Sequence, residues 1–152
     1  MFPLPTPSSD AAVRQLVVAE ALTWLKTPWH HQARIKGAGV DCAQFLVAVY
    51  LACGLIEEPA IDDYPRDWHL HRDEPRFVEI LLQHCEPVDD PLPGDIAMFR
   101  YGRQPAHGSI VVDWPVIIHA WLDVGQVTFS NVSVSAALSE RLAGFYRLKG
   151  LQ

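Results

Sequence analysis

The segment DCAQFLVAVYLACG, residues 41 to 54, decides how this chain folds. Asp41 is a good N-cap residue, because its short side chain can accept hydrogen bonds from the first N–H groups of a helix. No glycine or proline follows until Gly54, a residue type that is common just past the C-terminus of a helix. The sequence therefore predicts a helix that begins directly after Asp41 and carries Cys42 in its first turn.

The predicted helix has an apolar face that includes its first cysteine. Successive helical residues turn by about 100°, so Cys42 shares a face with Phe45 and Val49. We expect this face to pack on a sheet, with the thiol directed toward the strands. Cys53 lies on the same face but about 16 Å further along the axis, which favours a place in the core.

The segments around this helix predict an α+β domain. A helix is expected from Asp10 to about Leu25, and a loop follows over residues 28–40. A short third helix is expected from Pro75 to about Cys85. Strands separated by turn residues are expected at about 95–101, 107–112, 116–122, 126–132 and 143–149. Helices followed by strands indicate an antiparallel sheet of about five strands with helices against one face.

Size and charge restrict the classes of function. A chain of 152 residues can bury about two-thirds of its unfolded surface without a metal or disulfide to stabilise it. We expect a single domain over residues 10–152, after an extended, proline-spaced arm over residues 1–9. The net charge of −6 and the lack of a basic run argue against nucleic acid as a partner.

The sequence predicts neither a membrane span nor an export signal. The apolar run that begins at Phe45 is far shorter than the roughly 20 residues that a spanning helix needs. The N-terminus has no cationic start and is broken by prolines. We therefore expect synthesis in the cytoplasm without a signal peptide. Three cysteines, an odd number, do not indicate a disulfide framework.

Cys42 is the first candidate for chemistry. A free thiol has a pKa of about 8.5, whereas the partial positive charge and unpaired N–H groups of a helix N-terminus favour the thiolate. A thiol in this position is a candidate nucleophile. The alternative is that Cys42 serves only as a small buried hydrophobic residue.

Two histidines in the predicted strands could supply a base. His107 and His119 flank Asp113-Trp114-Pro115, which is typical of a hairpin turn. If that turn takes all three residues, both histidines lie on one face of the sheet as diagonal neighbours about 7–8 Å apart. Together with a thiol they would form a Cys-His-His triad. Each histidine could instead be a hydrogen-bonded residue of the core or of a sheet edge.

Metal binding is the competing chemistry for these side chains. His69 and His71 form an alternating pair, but no C-x-x-C or H-E-x-x-H spacing is present. The sequence therefore predicts no metal site and no cofactor.

Several short motifs, in order, resemble the NlpC/P60 cysteine peptidases, and in particular the short branch found in phage tails, prophages and gene transfer agents. They are Thr27-Pro28-Trp29-His30-His31-Gln32, Gly37-Ala38-Gly39-Val40-Asp41-Cys42, Leu92-Pro93-Gly94-Asp95-Ile96, His107-Gly108-Ser109-Ile110 and Ile118-His119-Ala120. The resemblance runs from about residue 10 to the C-terminus. It implies a papain-like fold and cleavage of amide bonds in peptidoglycan stem peptides.

The resemblance also assigns roles to residues. It implies that Cys42 is the nucleophile, His107 the general base and acid, and His119 the residue that holds the His107 ring. Trp29 takes the place of an aromatic residue that borders the substrate groove, and Asp41 matches the aspartate before the cysteine. Both are expected to contribute to substrate binding. We further expect an ion pair between His107 and Cys42 and an oxyanion contact from the Cys42 N–H group.

The same resemblance indicates where the protein acts and what it binds. It implies incorporation in a phage or phage-like tail, contact with tail hub or tip proteins, and action in the periplasm or cell wall. The chain departs from the family at Ala43-Gln44-Phe45 and in a longer insertion at about 57–90. Two other functions remain open: a structural tail-tip protein with a vestigial or occluded peptidase site, and a thiol amidase or acyltransferase for another substrate.

Overall fold

The computed structural model describes residues 9–58, 81–101 and 104–151. Three helices lie within these ranges: α1 (Ser9–Leu22), α2 (Cys42–Ala52) and a short α3 (Ala136–Ser139). A two-stranded hairpin is formed by β1 (Arg34–Ile35) and β2 (Gly39–Val40). The main sheet consists of β3 (Cys85–Val88), β4 (Ile96–Tyr101), β5 (Gln104–Asp113), β6 (Val116–Trp121), β7 (Gln126–Asn131) and β8 (Leu142–Leu148). All neighbouring strands pair antiparallel, in the order β3-β8-β4-β5-β6-β7.

The α+β class and the five predicted strands are confirmed, but the sheet has a sixth strand. The third helix was expected to reach Cys85, whereas only Leu81 and Leu82 of its described part are helical and Cys85 begins β3. Pro87 conceals this strand in the sequence, because proline is found mainly at sheet edges. Among the described strands, β3 is such an edge and pairs only with β8. The end of the expected insertion at 57–90 thus belongs to the sheet.

Two further expectations change at the N-terminal side. The expected arm over residues 1–9 lies outside the described residues except for Ser9, which begins α1, so Asp10 lies in the first turn rather than at the N-cap. The loop expected over residues 28–40 contains the β1–β2 hairpin. Much of the third helix, from Pro75 onward, and much of the insertion also lie outside the described residues.

Both faces of the sheet are covered. Helices α1 and α2 pack on one face, where buried side chains form the larger core cluster: Val17, Ala21, Phe45, Leu46, Val49, Ile96, Met98, Ile110 and Ile118. The opposite face carries Ala97, Phe99, Val111 and Ile117, covered by Val132 and Leu138. The expectation that helices cover one face alone is therefore incomplete. Leu138 belongs to α3 and Val132 begins the short 3-10 turn after β7.

Helix α2 is the centre of the domain. Residues Ala43 to Tyr50 are all buried, so the helix is covered around its whole circumference. A helix that is apolar on all sides is expected in such a place. Within the described ranges, no helix is long and apolar enough to cross a membrane.

One buried carboxylate ties α1 to the sheet. Asp95, fully buried before β4, accepts hydrogen bonds from Arg14 Nη1 at 3.0 Å and from Arg147 Nη2 at 2.9 Å. Its Oδ2 also accepts the Leu92 N–H at 2.8 Å. Arg14 belongs to α1 and Arg147 to β8. Because removing one partner of a buried ion pair is costly, this network holds the turn that leads into β4.

Candidate active site

Cys42 is the first residue of α2, and Asp41 fixes the helix start. Asp41 Oδ1 accepts the Gln44 N–H at 2.8 Å, and Oδ2 accepts the Gln32 N–H at 2.7 Å. The predicted N-cap is therefore confirmed. Burial raises the pKa of Asp41, while these backbone hydrogen bonds oppose the shift. With 3 % of its surface exposed, the carboxylate holds the loop and helix around Cys42, and its part in substrate binding stays a prediction.

Two contacts set the direction of α2 along β5. A Cβ atom built on Gly108 would lie 2.5 Å from Leu46 Cδ1, so Leu46 sits directly over this glycine. One turn further along α2, the Tyr50 hydroxyl donates a hydrogen bond of 2.7 Å to the Gly94 carbonyl. Gly94 in turn donates its N–H to the Val111 carbonyl of β5. The helix therefore runs in the same direction as β5.

This direction brings the thiol-bearing end of α2 to the beginning of β5. One helical turn rises about 5.4 Å, which corresponds to nearly two residues of a strand. Cys42 is half-buried and lies one turn before Leu46, at the end of α2 nearest the beginning of β5. Since side chains alternate along a strand, Gly108 faces α2 and His107 is on the side of Phe99, its partner in β4. The helix N-terminus and His107 thus lie at the same end of β5.

The two candidate histidines are hydrogen-bonded to each other. His107 Nε2 lies 2.7 Å from His119 Nδ1, and their ring centroids are 5.0 Å apart. The register of the β5–β6 hairpin explains this, because Ile110 pairs with Ile118 and places the histidines diagonally on one face. The expected juxtaposition is confirmed. The expected turn was one residue too long: Asp113 pairs with Val116, and the register shifts between Val111 and Asp113.

A hydroxyl continues this chain of hydrogen bonds. Ser130 Oγ on β7 lies 2.8 Å from His119 Nε2. Trp121 stacks on the His119 ring at a centroid distance of 5.0 Å and an interplanar angle of 27°. Neither residue could be singled out from the sequence, because serine and tryptophan in short β segments carry no distinctive spacing. The contact of Ser130 with His119 depends on the pairing of β6 with β7, whereas Trp121 lies two residues from His119 on the same strand.

Burial determines the charge of both rings. His119 is fully buried and His107 is 5 % exposed. Burial lowers the pKa of His107 to about 4. It lowers the pKa of His119 to about 2, with a smaller contribution from His107. Both rings are therefore neutral at pH 7 unless a negative charge lies beside them, and a neutral ring can accept a proton from a thiol.

Trp29 lies beside the loop that leads into α2. It forms a parallel bridge with Val40, and its backbone N–H donates a hydrogen bond of 2.8 Å to the Gly125 carbonyl. Its half-buried indole stacks on His31 with a centroid distance of 6.3 Å. His31 Nδ1 is 3.9 Å from Asp41 Oδ2, so Trp29 is linked through His31 to the start of the helix. Whether Trp29 borders a substrate groove stays a prediction.

Metal ligation was the competing use of these side chains. In the part of the chain that the structure describes, no three His, Cys, Asp or Glu residues are placed to hold a metal ion. His69 and His71 lie outside that part.

The three cysteines differ in their environments, and this predicts selective labelling. Burial raises the pKa of Cys53 and raises that of Cys85 to about 12, which disfavours their thiolates. At pH 6 we expect iodoacetamide to modify Cys42 alone, because the helix N-terminus favours its thiolate. Intact-mass measurement and peptide mapping would identify the modified residue.

The control for this experiment is Cys42→Ser, which should show no modification at pH 6. Preferential modification of Cys53, the other half-buried cysteine, would contradict the expected reactivity of Cys42.

Comparison with known proteins adds information on the fold. No family model matches the sequence, and no curated protein matches it significantly. Among solved structures, an NlpC/P60 family protein from Bacillus cereus superposes with a TM-score of 0.68 and 20 % identity, over 97 % of this chain and 42 % of that one. A lipoprotein-like NLP/P60 protein from Staphylococcus aureus gives 0.66 and 18 %, over 97 % and 45 %.

A third similar structure is the peptidoglycan hydrolase RipB from Mycobacterium tuberculosis, with a TM-score of 0.65 and 17 % identity. It is matched over 99 % of this chain and 74 % of its own length. The chain spans less than half of the Bacillus and Staphylococcus structures. At these identities the likeness concerns architecture, and the chain has the NlpC/P60 fold.

Proposed function

We propose that this protein is a phage-tail-type cell wall peptidase that cleaves amide bonds in peptidoglycan stem peptides through Cys42, His107 and His119. The single observation that carries the proposal is that a capped, cysteine-bearing helix N-terminus lies at the same end of β5 as a buried His107–His119 pair, hydrogen-bonded at 2.7 Å. A thiol, a base and a group that orients the base are the parts required for nucleophilic acyl transfer.

The reaction follows from these parts in two steps. His107 Nδ1 accepts the thiol proton as Cys42 Sγ attacks the amide carbonyl carbon, giving a tetrahedral oxyanion. The C–N bond then breaks, and His107 returns the proton to the departing amine, which leaves a thioester. In the second step His107 removes a proton from water, the hydroxide attacks the thioester, and the thiol leaves with that proton.

Two structural features support these steps. The Cys42 N–H group at the start of α2 is a donor for the oxyanion, and such a contact contributes about 3–4 kcal/mol in other enzymes. Burial favours the neutral His107 ring that accepts the proton. The same burial disfavours an ion pair between His107 and Cys42 before the reaction begins. The proton therefore moves to His107 as the thiol attacks.

The substrate class rests on similarity. RipB, which shares the fold, is a peptidoglycan hydrolase. The motifs around Trp29, Cys42 and His107 resemble those of peptidases in phage tails and gene transfer agents, which supports tail hub or tip proteins as partners. On this proposal the protein is made in the bacterial cytoplasm and acts on the wall after assembly into a tail.

The test is digestion of purified peptidoglycan followed by mass spectrometry of the soluble fragments. We expect new stem-peptide termini consistent with hydrolysis of one amide bond, and their absence when Cys42 has first been alkylated with iodoacetamide. Parallel incubation with unrelated amides and with acyl acceptors separates a peptidase from an amidase or acyltransferase. Protein that is folded and reactive at Cys42 but releases no fragments would exclude the proposed activity.

A further inference from the structure

Ser130 occupies the far end of the hydrogen-bonded chain that begins at His107. Its hydroxyl is 2.8 Å from Nε2 of His119, a ring that is completely buried. In the β6–β7 register Ser130 pairs with Ile117, while His119 pairs with Thr128. Ser130 therefore approaches His119 diagonally on the same face of the sheet. Trp121 stacks on a face of the His119 ring, whereas Ser130 contacts the ring edge at Nε2.

The donors and acceptors in this chain of hydrogen bonds can be arranged in two ways. A neutral imidazole has one N–H donor and one nitrogen acceptor. If His107 carries its proton on Nε2, it donates to His119 Nδ1, and His119 must then carry its own proton on Nε2 and donate it to the Ser130 oxygen. If Ser130 instead donates to His119 Nε2, both protons reverse, and His107 carries its proton on Nδ1.

Only the first arrangement leaves His107 Nδ1 able to accept a proton. In that arrangement the buried His119 Nε2–H group requires an acceptor, and the Ser130 oxygen supplies it at 2.8 Å. A buried N–H group without an acceptor is strongly disfavoured. Removing the hydroxyl therefore removes the support for the tautomer in which His107 can act as a base.

We propose that Ser130 is a positioning residue that selects the Nε2–H tautomer of His119 and, through it, the basic form of His107. This inference rests on the proposed function for its effect on catalysis. It adds a fourth residue, one that acts through its hydrogen bond to His119, to the three residues that the sequence indicates.

The test compares Ser130→Ala with Ser130→Thr, which keeps the hydroxyl in a strand that accepts β-branched residues. We expect Ser130→Ala to lower kcat about tenfold with little change in KM, because an unsatisfied buried N–H group raises the barrier rather than weakening substrate binding. Ser130→Thr should restore most of kcat. The matched control is Ser133→Ala, an exposed hydroxyl whose partner is Asn131, and it should behave as wild type.

A direct readout of the tautomer does not depend on activity. In protein labelled with ¹⁵N at histidine, NMR should show His119 protonated at Nε2 in the wild type and in Ser130→Thr, but not as a single Nε2–H species in Ser130→Ala. A wild-type His119 protonated at Nδ1, or an unchanged pattern in Ser130→Ala, would overturn the inference. If the wild type proves inactive but the tautomer depends on Ser130, the proposed function fails and the tautomer assignment stands.

Discussion

Replacing Cys42 with alanine is expected to lower the rate of stem-peptide release by at least about a thousandfold. Removal of the nucleophile leaves only binding and oxyanion stabilisation, and losses of this size or larger follow such changes in other acyl-transfer enzymes. The fold should be unaffected, because Cys42 is half-buried and Asp41 still caps α2. The rate is measured by quantifying soluble fragments from purified peptidoglycan, and folding by circular dichroism.

The chain offers a matched control for this substitution. Cys53 follows directly after α2, is also half-buried, and loses the same sulfur atom in Cys53→Ala. This variant should retain nearly wild-type cleavage, with a modest loss of stability from the emptied space. Equal rates for Cys42→Ala and wild type would show that another residue is the nucleophile. Equal losses for both cysteines would indicate an effect on folding rather than on chemistry.

The part of the site that depends on local sequence was predictable. Asp41 and Gly54 delimit a helix through capping preferences that act within a few residues, so the position of Cys42 at a helix start follows directly. The relation between His107 and His119 also follows from local rules, because one tight hairpin joins their strands. An error of one residue in the turn left the central pairing unchanged, since the register shift near Asp113 absorbs it.

The rest of the site depends on contacts between distant segments. Ser130 reaches His119 only because β7 pairs with β6 in a particular register, and that register cannot be predicted from the sequence of β7. The edge strand β3 was missed for a related reason: its pairing with β8 is long-range, and Pro87 is unfavourable in a strand. Trp29 approaches α2 through its bridge to Val40, which capping and periodicity rules do not describe.

The close approach of α2 to β5 depends on the absence of a side chain at residue 108. A Cβ atom on Gly108 would lie 2.5 Å from Leu46 Cδ1 and 3.2 Å from Met98 Sδ. Leu46 and Met98 are 1 % and 0 % exposed, so neither side chain can move into solvent. A methyl group here requires these atoms to shift, and because both side chains are enclosed we expect α2 to move away from the strand. Cys42 lies one turn before Leu46 on the same helix and would move with it.

We therefore expect Gly108→Ala to lower the cleavage rate about a hundredfold, which is the cost of displacing a reacting group by about 1 Å. Overpacking should also lower the free energy of unfolding by about 1–3 kcal/mol. Cleavage assays and urea denaturation measure the two effects. The control is Gly150→Ala, because a Cβ atom at Gly150 would meet nothing within 4 Å.

A second substitution separates displacement of the helix from a direct effect on the neighbouring His107. In Gly108→Ala/Leu46→Ala the added methyl group takes the place of the removed leucine atoms, so α2 can return to the strand. A double-mutant cycle should then give a favourable coupling between residues 46 and 108, with cleavage partly restored relative to Gly108→Ala. Strict additivity would mean that the helix does not transmit the effect. In that case the position of Cys42 would not depend on the contact between Leu46 and Gly108.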